Sequence, residues 1–224
     1  MFKSSNSIAL PHDNKDTFFL TDSGLETQLI FKDNFDLPEF AAFTLLYDER
    51  GWEHCKAYYR RHAALASKAN AGFVFESMTW RASSDWLNKL GYEQSDAMQE
   101  VCNKAIQIMS EVRDEFPNLA GKHGVLSGNI GPRGDGYVAS NVMTPQEAKA
   151  YHLPQVLAFQ KAGVDMVMAA TLNYIDEGIG IVLAANEVGI PVVLSYTLET
   201  DGCLLTGESM KKIIRDIDTA TDNY

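Results

Sequence analysis

Short runs of consecutive apolar residues alternate along this chain with longer segments in which apolar residues recur every three or four positions. The short runs are typical of buried parallel strands, and the longer segments are typical of helices with one buried face. The runs predict strands at residues 17–22, 73–77, 124–129, 165–171 and 191–197. The periodic segments predict helices at residues 52–71, 95–116, 174–189 and 209–221, and another that opens at residues 144–147. This alternation predicts an α/β fold in which helices cover a parallel sheet.

The helix that opens at residues 144–147 has a sharp start signal in TPQE. Thr144 can cap the helix, Pro145 suits its first turn, and Glu147 can complete a capping box. Pro154 falls inside the same helix and is expected to kink it, because proline lacks the backbone N–H that the helix uses.

Two architectures satisfy the alternation, a doubly wound open sheet and a barrel. A dinucleotide-binding open sheet should carry GxGxxG after its first strand, but the chain reads SGLETQ there, which favours the barrel. An eight-stranded barrel needs about 250 residues, so the 224 residues predict an incomplete (β/α)8 TIM barrel with about five β/α units. We expect residues 1–16 to form a disordered tail and residues 17–224 to form the barrel domain, ending before a sixth strand.

Composition narrows the classes of partner. A net charge of −11 opposes binding to nucleic acid or to anionic membranes. The three scattered cysteines form no CxxC pair and indicate a reducing compartment. The N-terminal apolar run IAL is too short for a signal peptide, and no stretch approaches the ~20 apolar residues of a membrane span. A cytoplasmic protein is expected, and its oligomeric state is left open.

Polar residues gather at the carboxyl ends of the predicted strands, where the loops of a parallel barrel converge. They include Asn129, Thr171 and Thr197 together with the carboxylates Asp22, Glu26, Glu76, Asp135, Asp176, Glu177, Glu199 and Asp201. Carboxylates dominate the set, which suits a cationic ligand such as an ammonium, a sulfonium or a divalent metal. Simpler interpretations stay open, since Asp22 can cap a turn, and Glu177 is also the kind of acid that the helix dipole favours in a first turn.

Several kinds of site find no support in the pattern. The glycine-rich segment GNIGPRGDGY lacks the GK[ST] ending of a P-loop, and no GxSxG elbow marks a nucleophilic serine. Cys55 and Cys102 fall on apolar helix faces, and Cys203 stands alone in a loop. No two cysteines or histidines show ligand spacing, so no metal, cofactor or catalytic residue is predicted within this chain.

Several longer segments resemble the homocysteine S-methyltransferase family of (β/α)8 barrels. They are LTDSGLETQL, LPEFAAFTLL, GNIGPRGDGY, YHLPQVLAFQKAGVD, ATLNYIDEGIGIVLAANEVGIPVV and SYTLETDGCLLTGES. The resemblance runs from about residue 17 to the last residue. It implies transfer of a methyl group from a sulfonium or related donor, such as S-methylmethionine or S-adenosylmethionine, to the thiol of homocysteine, giving methionine.

The resemblance also implies zinc, which family members hold with three cysteine thiolates on strands six and eight. Those strands lie beyond residue 224, so we expect the zinc ligands to be absent from this chain and the chain to be inactive alone. Many members also carry a glutamate directly before the threonine that follows strand four, where it holds the substrate amine. Ala170 occupies that position here, and Glu177 is the expected substitute.

The expected substrate-binding residues follow from the resemblance and share a position near a strand end. They are Asp22, Ser23, Gly24, Glu26, Asn129, Thr171, Glu177, Thr197 and Glu199. Trp80 and Tyr137 are placed to offer aromatic faces to a sulfonium donor. One alternative is a non-catalytic partial barrel that binds an amino acid or a sulfonium. Another, a phosphate-using barrel enzyme, has only Arg133 and the glycines in its favour.

Overall fold

A computed structural model describes residues 10–120, 123–139 and 142–222, and these residues contain one five-stranded sheet. The strands are β1 (Phe19–Thr21), β2 (Gly72–Glu76), β3 (Gly124–Ile130), β4 (Met166–Leu172) and β5 (Val192–Tyr196). Every pairing is parallel, and the strand order in space follows the order in the chain. A doubly wound sheet would reverse its order at a switch point, so the observed order agrees with the barrel prediction.

Helices separate the strands, as the periodic segments predicted. They are α1 (Leu25–Phe31), α2 (Glu49–Lys68), α3 (Ser84–Lys89), α4 (Ala97–Asp114), α5 (Pro145–Ala162), α6 (Ile175–Val188) and α7 (Met210–Ala220). The predicted capping box at the start of α5 is confirmed, with both of its reciprocal hydrogen bonds formed. The sequence pattern missed α1 and α3, which have seven and six residues and are too short to show a helical period.

Side chains alternate between the two faces of the sheet. On β2, Phe73 and Phe75 point outward into the core that the sheet shares with the helices. Val74 points inward, where it packs with Val125 of β3 and Met166 of β4. Glu76 follows the same alternation and lies on the inner face. The inner face therefore changes from apolar near the start of the strands to polar at their carboxyl ends.

Leu10 belongs to the apolar inner layer. It is 8% exposed and packs with Val74, Val125 and Met166, and Phe19 packs against this group. Residues 1–9 lie outside the described residues. The expected tail at residues 1–16 stays a prediction, but its residue 10 contacts the interior of the sheet.

Candidate substrate-binding site

A small cavity of about 170 Å³ opens at the carboxyl ends of β1, β2 and β3. We call it the inner cavity. Its lining combines three carboxylates with an amide, two hydroxyls and the apolar surface of β4. The lining residues are Asp22, Ser23, Gly24, Leu25, Glu26, Glu76, Ser77, Asn129 and Met168. Five of the nine expected binding residues therefore come together around one space.

The carboxylates of the inner cavity are poorly solvated. Burial raises the pKa of Glu76 to about 7, although the nearby Ser127 hydroxyl acts in the opposite direction. Burial and, after it, the charge of Glu76 raise the pKa of Asp22 well above its usual range. Burial also raises the pKa of Glu26. The charged form of each carboxylate is therefore disfavoured, and a cation bound beside it would favour that form.

The turn after β1 is held by α2. The Tyr58 hydroxyl donates to the backbone carbonyl of Ser23, and it also lies 3.3 Å from the Ser23 hydroxyl. His62 Nε2 lies 3.2 Å from the same hydroxyl. Tyr58 is fully buried, so the turn that carries Asp22 and Gly24 rests on a fixed support.

Hydroxyl groups lock the ends of β2 and β3 together. The backbone N–H of Asn129 donates to Ser77 Oγ at 2.8 Å, and Thr79 Oγ1 donates to the Asn129 carbonyl at 2.8 Å. Because these bonds use only the backbone of Asn129, its side chain remains available. Its Oδ1 atom is buried and has no hydrogen-bond partner among the described residues.

Thr171 lies at an irregular end of β4 and does not line the inner cavity. The register of β4 shifts between Ala169 and Leu172, and Thr171 has a φ of 58°. A β-branched residue rarely adopts this left-handed conformation, so the backbone here is strained. The Thr171 hydroxyl accepts a hydrogen bond of 3.1 Å from Trp80 Nε1, which links β4 to the loop after β2.

Glu177 lies inside the protein and away from the lining of the inner cavity. It is 0% exposed, and its Oε1 atom accepts a hydrogen bond of 2.7 Å from the backbone N–H of Arg133. The same atom lies 3.0 Å from Nε2 of the equally buried His152. Through these two contacts Glu177 connects the loop after β3 to α5 and α6. Its expected contact with the substrate stays a prediction.

The two expected residues after β5 also lie outside the inner-cavity lining. The backbone N–H of Thr197 donates to the Leu172 carbonyl at 2.9 Å, which extends the pairing of β4 with β5. Glu199 is exposed, and its backbone N–H donates to the Cys203 carbonyl at 2.8 Å. Neither side chain lines the inner cavity, so their binding roles also stay predictions.

A wider cleft of about 620 Å³ lies between α1 and the loops that follow β2 and β3. We call it the aromatic cleft. Trp80 and Tyr137 both line it, together with the carboxylate residues Glu39 and Asp135. The Arg81 guanidinium stacks between the Trp80 and Trp86 rings, 3.9 and 4.0 Å from their centroids. Aromatic faces and carboxylates are the surroundings that an onium ligand prefers.

The cysteines do not fit a zinc site. Cys55 and Cys102 are fully buried in separate core clusters, where burial raises the pKa of the Cys55 thiol to about 12. Cys203 lies on the loop after β5. Over residues 10–120, 123–139 and 142–222, no group of three histidines, cysteines or acidic residues is arranged to hold a metal ion.

Comparison with known proteins places the chain in a family. A family model described as homocysteine S-methyltransferase matches residues 19–222. The chain belongs to the homocysteine S-methyltransferase family. Membership in this family makes the chain a methyltransferase by family resemblance, and the family's description names homocysteine as the acceptor. The family is generally zinc-dependent. A search of curated protein sequences gives no match.

Solved structures confirm the fold of this homocysteine S-methyltransferase family member. The metallated form of the homocysteine methyltransferase MmuM from Escherichia coli superposes with a TM-score of 0.75 at 16% identity, covering 94% of this chain and 73% of that one. The oxidized form gives a TM-score of 0.74 at 18% identity, covering 96% and 72%. The prediction of an incomplete barrel is therefore confirmed.

Four residues that line the inner cavity were not among the expected binding residues of this family member, and two of these four are polar. Glu76 and Ser77 stand at the end of β2, and both were visible as polar residues after the apolar run FVFES. A charged residue inside a strand that is otherwise fully buried is the signal that identifies Glu76.

Among the described residues, no helix is both long and apolar enough to cross a membrane.

Proposed function

We propose that this chain binds homocysteine in the inner cavity for methyl transfer from a sulfonium donor, either S-methylmethionine or S-adenosylmethionine, giving methionine. One observation carries the proposal. In a chain of the homocysteine S-methyltransferase family, carboxylates from β1, β2 and α1 converge with Asn129 on one small cavity at the strand ends.

The inner cavity suits an amino acid that carries a thiol. The carboxylates of Asp22 and Glu26 supply the negative charge that an ammonium group needs, and its binding would offset their poor solvation. Asn129 Oδ1 is a free acceptor on the opposite wall. Met168 offers apolar surface to the methylene groups and sulfur of the substrate. These residues bind and orient the acceptor, and orientation supplies much of the rate in an in-line transfer.

A sulfonium donor would use the aromatic cleft. Its positive charge finds the aromatic ring of Tyr137 there, beside the Trp80 ring on which Arg81 already stacks, and the carboxylates of Glu39 and Asp135 offset the charge of Arg81. Thr27 of α1 lines this cleft, while Leu25 and Glu26 of the same helix line the inner cavity. The two binding places are therefore neighbours on α1, which supports their use by two substrates of one reaction.

Zinc supplies thiol activation in this family when it is bound, but the cysteines of this chain do not fit its site. We propose that the 224-residue chain binds homocysteine without turning it over. The residues that carry this part of the proposal are Cys55 and Cys102, whose thiols are enclosed in helix-packed cores and face neither cavity.

Calorimetric titration of the chain with homocysteine tests the acceptor site. Asp22→Asn is expected to weaken binding about tenfold to a hundredfold, because hydrogen bonds to charged groups contribute about 1.5–3 kcal/mol. Asp36→Asn, at an exposed position, is the matched control and should bind as the wild type does. Equal affinity for the two variants would contradict the proposed site.

A methyl-transfer assay separates the proposal from its alternative. With S-methylmethionine and homocysteine present, the chain alone is expected to yield no methionine while still binding both compounds. Binding of S-methylmethionine without any binding of homocysteine would favour the alternative of a partial barrel that only binds a sulfonium. Methionine formation would contradict the proposed inactivity and leave the binding site in place.

A further inference from the structure

We propose that Glu76 binds the ammonium group of the amino-acid substrate together with Asp22, and that it determines selectivity for a substrate with a free amine. The inference rests on the proposed function and extends it to a residue that the family resemblance did not select. It makes Glu76 a second carboxylate partner for the substrate rather than a structural acid of β2.

The position of Glu76 follows from the alternation of β2. Phe73 and Phe75 point into the outer core, so Val74 and Glu76 point to the inner face of the sheet. Its backbone is fixed on the outer side, because the Tyr59 hydroxyl donates to the Glu76 carbonyl at 2.7 Å. The carboxylate therefore projects toward the inner cavity, which it lines beside Asp22 and Asn129.

Among the described residues no positively charged group pairs with the Glu76 side chain, and the nearby Ser127 hydroxyl is the group that favours its charge. Glu76 is only 7% exposed, and its Oε2 atom has no hydrogen-bond partner among the described residues. Burying an acidic group without a partner is costly, and structural acids are normally paired. The lining of the inner cavity contains no lysine, arginine or histidine that could pair with it. A cation that enters the cavity is the partner that its chemistry calls for.

An ammonium group matches the arrangement. It has three N–H donors and no acceptor, so it is best satisfied by several acceptor oxygens on different sides. The inner cavity offers oxygens from Asp22 after β1, Glu76 at the end of β2 and Asn129 on β3. The mutual repulsion of Asp22 and Glu76, which raises the pKa of Asp22, would become attraction to a shared cation.

Titration with two thiols tests the inference. Homocysteine carries the ammonium group, and 4-sulfanylbutanoate is the same chain without it. Glu76→Gln is expected to weaken homocysteine binding about tenfold or more, because a neutral amide replaces a charged partner. It should leave the affinity for 4-sulfanylbutanoate within about twofold. Glu93→Gln, at an exposed position, is the control and should change neither affinity.

The outcomes separate the inference from the function on which it rests. Equal homocysteine binding by wild type and Glu76→Gln would overturn the inference alone. A wild type that binds neither thiol would overturn the proposed function and the inference together. Equal losses for both thiols would mean a structural role and would also overturn the inference. If Glu76→Gln does not fold, Glu76→Asp keeps the charge but withdraws it by one methylene, and the same selective loss is expected.

Discussion

Two buried glutamates occupy different regions of this barrel and differ in what surrounds them. Glu177 lies in the seam between α5 and α6, where one of its oxygens meets both the Arg133 N–H and His152. Glu76 lies at the end of β2 and lines the inner cavity, where its Oε2 atom has no hydrogen-bond partner among the described residues and only the nearby Ser127 hydroxyl favours its charge. Both are nearly or completely buried, so exposure alone does not distinguish them.

These different surroundings decide which of the two buried acids is available to a ligand. Glu177 already accepts hydrogen bonds from protein groups through its Oε1 atom, although its Oε2 atom is unpartnered among the described residues, and its removal would release the loop after β3. The burial cost of Glu76 is offset only in part by the Ser127 hydroxyl, and its carboxylate lines a cavity that a ligand can enter. The first arrangement is typical of a structural acid, and the second fits the proposed binding role of Glu76.

The largest effect on stability is expected from removing the Glu177 side chain, which lies between α5 and α6. Glu177→Ala leaves His152 and the Arg133 N–H buried without a partner and should lower the free energy of unfolding by about 3–5 kcal/mol. Urea denaturation measures the change. Glu187→Ala on the same helix removes only the exposed ion pair with Lys149 and should cost less than about 1 kcal/mol. Similar losses for both variants would show that the seam does not depend on Glu177.

A pH series tests Glu76, because ionisation of its buried carboxyl group is expected to lower the free energy of unfolding. Its pKa is raised from 4.5 to about 7, so ionisation costs the folded state more than the unfolded chain. Wild-type stability should fall as the pH rises from about 4.5 to about 7, and the fall from this residue is about 3 kcal/mol. Glu76→Gln lacks this titration, so its urea stability should fall less over the same interval. Parallel curves for the two proteins would contradict the incompletely offset burial cost of Glu76.

The packing of the seam can be tested without touching a charge. A Cβ on Gly180 would lie 2.4 Å from Ala148 Cβ and 2.6 Å from the Lys149 backbone nitrogen, so α5 and α6 would have to separate. Gly180→Ala should therefore destabilise the protein by about 1–3 kcal/mol, although alanine is the better helix former. Asn186→Ala, on an exposed part of α6, should be neutral or slightly stabilising in the same thermal or urea unfolding experiment.

The smallest effect concerns Thr171, the strained residue at the end of β4. Thr171→Ala and Thr171→Gly both lose the hydrogen bond from Trp80, but only glycine tolerates a φ of 58° without strain. The glycine variant should therefore be more stable than the alanine variant by about 1 kcal/mol. Paired thermal unfolding curves decide the order, and a more stable alanine variant would show that the backbone relaxes there.

Much of the fold was predictable, because long apolar runs and helical periods leave little choice of secondary structure. The capping box at Thr144 and the turn after β1 are encoded by a few adjacent residues. The pairing of His152 with Glu177 was not predictable, because it joins two helices whose spacing depends on the packing of the whole sheet.

The candidate site was predictable in part for the same reason. Asp22, Ser23, Gly24 and Glu26 are neighbours in sequence, so one strand end brings them to the cavity together, and Asn129 joins them at the adjoining strand end. Thr197 and Glu199 follow a strand at the other edge of the sheet, and their distance from the inner cavity depends on the curvature of the sheet. Strand ends can be read from sequence, but curvature cannot.

The strand order also has a consequence for how the chain folds. Each strand pairs only with the strand before it and the strand after it in the chain. The first pair, β1 with β2, is complete once residue 76 is available, and each later unit adds one strand to an existing edge. Contacts of this kind span modest sequence separations and lower the entropy lost in each step. The barrel can therefore grow from its N-terminal strand during synthesis, one strand and helix at a time.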